Sequence, residues 1–178
     1  MTKSDQFWSL IDQSLISLGL TEQEAMLKHL LSQLSDDAAI GAFTELHRQV
    51  NRAELYQLIN AAFFFSYRFS DDSWEYHKYW LVSRGKAEFE LALSDPDTFY
   101  SRFYDEITVK CISAEEIGSC FASNLLVRGI DMFNIALEPA KFSGVPANES
   151  EWPVKFPKIH EKKTTLGIDG WSSVPLGD

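Results

Sequence analysis

Between Ala53 and Ser66 the chain reads Ala-Glu-Leu-Tyr-Gln-Leu-Ile-Asn-Ala-Ala-Phe-Phe-Phe-Ser. Leu55, Leu58, Ile59 and Ala62 recur at helical spacing, and Phe63, Phe64 and Phe65 widen that stripe until it nearly encircles the helix. A helix that is apolar all round cannot rest against one neighbour and must be enclosed by several. A buried strand would also suit three consecutive phenylalanines, but the run is too short to override the helical register around it. The expectation is a bundle built about this segment.

The flanking segments supply the other helices. Phe7, Leu10, Ile11, Leu15 and Leu18 mark an amphipathic helix from about Lys3 to Leu18, with Gly19 where a C-terminal glycine belongs. Thr21 and Glu24 have capping-box spacing ahead of Leu27, Leu30, Leu31 and Leu34. Ser35-Asp36-Asp37 opens a third helix marked by Ile40, Phe43, Leu46 and Val50, its acids favoured by the helix dipole. Asp72 followed by Glu75 repeats the capping-box spacing, and Gly85 bends or ends that helix. Lys86 to Leu93 adds about two turns before the stop at Ser94-Asp95-Pro96-Asp97. Phe99 to Tyr104 suits a turn of helix, Ile107 to Ile112 a short strand, and Ser113 to about Gly129 a further helix with Ile117, Phe121 and Leu125 inward.

From Pro139 the pattern changes. Five of the six prolines fall between Pro139 and Pro175, among several glycines. The helical period is lost, while Trp152, Phe156, Ile159 and Trp171 suit a tail packed along the body. The fold class expected is therefore mainly α: one compact multi-helix bundle, residues 1–138, with an irregular Pro/Gly-containing extension, 139–178, packed on the same domain. At 178 residues the chain is long enough for one sizeable core.

Charge narrows the partners. Twenty-six acids against 16 bases leave a net charge of −10, which repels phosphate backbones and attracts basic proteins. Direct nucleic-acid binding is not expected. Met1 to Trp8 holds no apolar signal region, and the longest apolar run, Ala61 to Phe65, falls far short of the roughly 20 residues of a membrane span. A cytoplasmic protein is expected, with Cys111 and Cys120 as reduced, part-buried thiols.

The densest chemistry lies in Ser70-Asp-Asp-Ser-Trp-Glu-Tyr-His-Lys-Tyr-Trp-Leu-Val-Ser-Arg-Gly85. Asp71 and Glu75 share a helix face and could reach one metal or one cationic ligand. The competing reading makes Asp71, Asp72 and Glu75 caps for the free N–H groups of the helix start. Tyr76, Tyr79 and Trp80 share another face with Arg84 a turn beyond, the composition of a protein-binding hot spot. Trp80 and Leu81 also suit a core. The histidines have no metal-ligand pairing, and no nucleophile elbow, phosphate loop or dinucleotide fingerprint is present. No catalytic residue, metal or cofactor is expected.

Phe7-Trp-Ser-Leu-Ile-Asp12, the Ser70 to Gly85 stretch and Ala92-Leu-Ser-Asp-Pro-Asp97 together resemble a family of small bacterial proteins known only as a domain of unknown function. Its members read F-W-x-L-I-D, then S-D-D-G-F-E-Y-F-R-x-W-L-I-x-R-G, then A-L-x-D-P-D. The resemblance covers about the first hundred residues. Ser73, Trp74, His77-Lys78 and Tyr67-Arg-Phe69 depart from it, where the family carries Gly, Phe, Phe-Arg and Gly-Gly-Cys. Those changes alter the helix's entry and one face. The resemblance implies a mainly helical fold and no established reaction.

Two functions from different classes follow. The first is an acidic protein-binding module, an immunity-type inhibitor of a basic bacterial toxin, with Asp71, Asp72, Glu75, Tyr76, Tyr79 and Arg84 as candidate contacts. The second is an enzyme or a small-molecule or metal binder using the acidic-aromatic helix 70–85, with His77 among its groups.

Overall fold

The Thr2 hydroxyl accepts a hydrogen bond from the Asp5 amide, and the Asp5 carboxylate accepts one from the Thr2 amide, so a complete capping box starts the first helix. Helix α1 (Lys3–Ser14) buries Phe7, Trp8 and Ile11. A computed structural model describes residues 2–15, 20–65, 71–102 and 114–166. The expected glycine cap at Gly19 and the expected strand at 107–112 lie outside those residues.

Helix α2 (Leu20–Ser32) already includes Thr21, the residue expected to precede it. Ser35 caps α3 (Asp36–Arg52), which turns Ala39, Ala42, Phe43, Leu46 and Val50 inward. Then follow α4 (Tyr56–Phe65), α5 (Asp71–Ser83), α6 (Lys86–Ser94), α7 (Pro96–Arg102) and α8 (Glu115–Val127). Two more helices, α9 (Trp152–Lys155) and α10 (Pro157–Thr165), lie in the C-terminal extension. The fold is thus mainly α, a bundle of ten α-helices among the described residues.

The phenylalanine run is enclosed as its pattern demands. Leu58, Ala61, Ala62, Phe64 and Phe65 of α4 are all buried. Phe65 stacks on Tyr100 of α7, ring centroids 5.4 Å apart, while Phe64 meets Trp152 at 5.9 Å and Phe156 at 6.3 Å. One phenylalanine therefore faces the bundle and its neighbour faces the extension. Burying Trp152, Phe156 and Ile159 this way contributes on the order of 2 kcal/mol each.

The extension is less irregular than its composition suggests. Pro157 supplies a pre-set first helical residue, and Asp97 of α7 accepts from the amides of Lys158 (3.0 Å) and Ile159 (2.9 Å), capping α10 from across the molecule. Upstream, Ser143 exchanges backbone hydrogen bonds with Glu54 and Tyr56, forming a short parallel bridge beside α4.

Gly85 separates α5 from α6 with φ +87°, a conformation that side chains resist. A Cβ there would also stand 2.8 Å from both Asp12 Oδ1 and Leu15 Cδ1. That close approach lets the Asp12 carboxylate accept from the Lys86 amide at 3.3 Å and cap α6. Among the described residues no helix is long and apolar enough to cross a membrane.

Candidate functional site

Helix α5 packs against α3, α6 and α8, so most of its circumference is covered. Trp74, His77, Lys78, Trp80, Leu81 and Val82 are buried. Glu75, Tyr76, Tyr79 and Arg84 are half-buried. The aromatic and apolar side chains explain the covering, and the lysine makes it costly.

Lys78 is only 2% exposed. Its ammonium is paired with Glu54, itself buried just ahead of α4, and with Glu75 one turn earlier at 2.7 Å. Glu54 also accepts from the Trp74 indole N–H at 3.1 Å. Two carboxylates and an indole thus satisfy a cation and an anion taken out of water together. Glu75 carries the network outward, its side chain 44% exposed.

Beyond Glu75 stand two further titratable groups. Burial, the Glu75 charge and a hydrogen bond to Glu75 push the Tyr79 phenol up to about 12, so it remains a proton donor at every physiological pH. Burial lowers His47 below its ordinary value, against the opposing pull of Glu75. The Tyr79 ring lies flat against α8, where a Cβ on Gly118 would come within 2.9 Å of it. Glycine at 118 is what allows the two helices to approach there.

The other buried face is a column of rings. His77 stacks against Trp74, Trp80 and Tyr100 at centroid distances of 5.6, 5.2 and 5.7 Å, and its Nε2 shares a 2.7 Å hydrogen bond with the Tyr100 hydroxyl. Burial holds the Tyr100 phenol well above its usual range. Arg84 lies over the Trp80 ring, 5.7 Å from its centroid, as their one-turn spacing suggests.

The six candidate contacts are therefore divided. Glu75 and Tyr79 join the Lys78 network, Arg84 covers Trp80, and the Tyr76 carbonyl accepts from the Ala114 amide at 3.3 Å. Asp71 and Asp72 are the first two residues of α5, and their side chains lie outside the described part. Asp72 therefore sits within the first turn, not at the expected N-cap. Glu75 turns forward to Lys78 rather than serving as the far half of a capping box. His77 stacks among Trp74, Trp80 and Tyr100 and shares its hydrogen bond with the Tyr100 hydroxyl. Among the described residues no three His, Cys, Asp or Glu side chains gather as metal ligands.

Glu54 and Trp74 complete the network without having been singled out from the sequence. Lys78 did carry a signal, since Trp74 lies four residues before it and Leu81 and Val82 follow at three and four. A lysine on such a face needs a carboxylate partner. Nothing adjacent in sequence named Glu54, 24 residues away.

The acids of the other two motifs cap the starts of helices. Asp12 caps α6; Asp95 accepts from the Thr98 amide at 3.0 Å and caps α7; Asp97 caps α10. All three motifs thus have structural work in a single bundle. Residues 1–125 match the model of a family described as "Protein of unknown function (DUF4240)". The chain belongs to that family. The match reaches past the motif-bearing first hundred residues and takes in most of α8, while α9 and α10 lie beyond it. No curated protein and no solved structure matches the chain.

Proposed function

We propose that this chain is an acidic protein-binding module, an immunity-type inhibitor that neutralises a basic bacterial toxin by covering its active site. The placement of charge carries the reading. Residues 139–178 hold five acids and five bases, so the whole excess of −10 belongs to the helical body. Bases of that body are engaged with acids: Arg48 with Glu45, Arg52 with Glu90, Arg128 with Asp36, and Lys78 with Glu54 and Glu75.

Helices α2 and α8 add a direction to the field. Cys120 lies beside the Glu24 carbonyl and Arg128 beside the Leu31 and Ser32 carbonyls, so the two helices run side by side in the same sense. Their acid-bearing first turns, with Glu22, Glu115 and Glu116 exposed, come to the same end of the molecule. Concentrated negative potential of this kind speeds encounter with a cationic partner and weakens as salt rises.

A tagged chain recovered from its native host tests the reading. The expected result is co-purification of a basic protein, released progressively by salt, whose toxicity is suppressed by co-expression of this chain. Glu115→Lys together with Glu116→Lys should slow that association at least tenfold. Recovery of no protein partner overturns the reading.

A further inference from the structure

Helices α1 and α3 pack side by side, with Arg48 3.5 Å from Ser4 and with Gln13 and Leu34 both lining the trough between them. The trough between them has a volume of about 520 Å³. Its α1 bank is contributed by residues 3, 6, 7, 9, 10 and 13, a helical stripe with Ser9 at its edge that extends about 15 Å, or three turns. Leu10, Leu34, Ala38 and Gly41 form a half-buried floor over the fully buried Phe7 and Ala42.

Gly41 is the telling residue. It stands in the interior of α3, where glycine weakens a helix. Packing does not require it, since a Cβ there would meet nothing nearer than Lys3 Cδ at 3.9 Å. Its effect is to keep the floor open. Asp37 stands exposed on the α3 bank. A second depression of about 480 Å³ on the other flank of α1 exposes Asp5 and Asp12, with Lys86 beside them, across the Ser9–Gln13 ridge.

We infer that this trough seats a basic amphipathic helix presented by a protein partner. The inference rests on the protein-binding reading above and gives it a surface. A straight trough three turns long, apolar below and banked by helical stripes, matches the apolar face of a third helix with anchors at i, i+3, i+4 and i+7. The net charge of −10 selects cations on the occupant's outer face, while around the trough itself Asp37 stands against Lys3, and Asp5 and Asp12 against Lys86.

The probe is a synthetic 16-residue helix with leucines on one face and lysines on the other, titrated into isotope-labelled chain. Amide shifts should cluster at Leu10, Leu34, Ala38, Gly41 and Ala42. A peptide with glutamates replacing the lysines should bind at least tenfold more weakly. Gly41→Leu fills the floor while improving helix propensity, and should reduce affinity at least tenfold in a chain that remains folded. Asp37→Lys, an exposed change, should weaken binding severalfold and flatten its salt dependence. Shifts that cluster elsewhere, or equal affinity in Gly41→Leu, overturn the inference. The same variant used as bait separates the two proposals. A native partner that Gly41→Leu still captures leaves the module reading intact and removes the trough. If neither bait captures a partner, the module reading fails and the peptide titration alone decides the trough.

Discussion

Lys78 shows how strongly a single residue can bind this fold to its charge. Its ammonium is held between a buried carboxylate and a half-exposed one, and its removal would leave Glu54 charged and buried with the Trp74 indole. Breaking one side of such a pair typically costs about 3–5 kcal/mol, far more than its net contribution. Lys78→Met should therefore lose stability on that scale in urea denaturation. Adding Glu54→Leu should restore most of the loss, because no orphaned charge then remains. A single variant as stable as the parent would show that the pair is not desolvated as described.

At the scale of elements, acids distant in sequence decide where helices begin. Asp12 caps a helix 74 residues away, and Asp97 caps one 61 residues away. Asp97→Ala should cost about 1–2 kcal/mol, as lost caps do. The effect should be local, with amides of α10 exchanging faster and α1 to α3 unaffected; unchanged protection in α10 would remove Asp97 as its tether. These long reaches set what the sequence could reveal. The stripes of α1, α3, α4 and α8 were legible because periodicity is local, and so was the burial of Trp80 and Leu81. Helix α10 was not, because among its nine residues only Ile159 and Lys163 are buried and its start depends on a cap from α7. Glu75 was misplaced for a similar reason. Capping-box spacing is a local signal, whereas the buried lysine that claims the carboxylate is understood only once Glu54 is brought beside it.

For the molecule as a whole, titration of buried groups predicts an unusual alkaline profile. Burial lowers Lys163, on the buried face of α10 and donating to the Phe64 carbonyl, to about 8 from an ordinary 10.5. The unfolded chain therefore retains this proton at pH values where the folded chain has lost it, so stability rises between about pH 8 and 10.5. Cys120 acts in the opposite sense. Burial raises its thiol from 9.0 to about 11, outweighing the pull of Lys28, so its contribution is complete below pH 9 and disappears by about pH 11. Tyr79, raised from 10.0 to about 12, extends that loss to higher pH. Each shift spans two or more units at about 1.4 kcal/mol per unit, so the lysine and thiol contributions are comparable in size. The three together rise from pH 8 to 9, flatten to about pH 10 and fall beyond. Urea midpoints measured from pH 7 to 11 should trace this shape. Lys163→Met should abolish the early rise and leave the late fall, and Cys120→Ala should sharpen the rise and postpone the fall. A profile that declines steadily from pH 8 in all three proteins would mean that Lys163 on the inner face of α10 is hydrated, and that the extension is held by its rings, by Asp97 and by the Ser143 bridge.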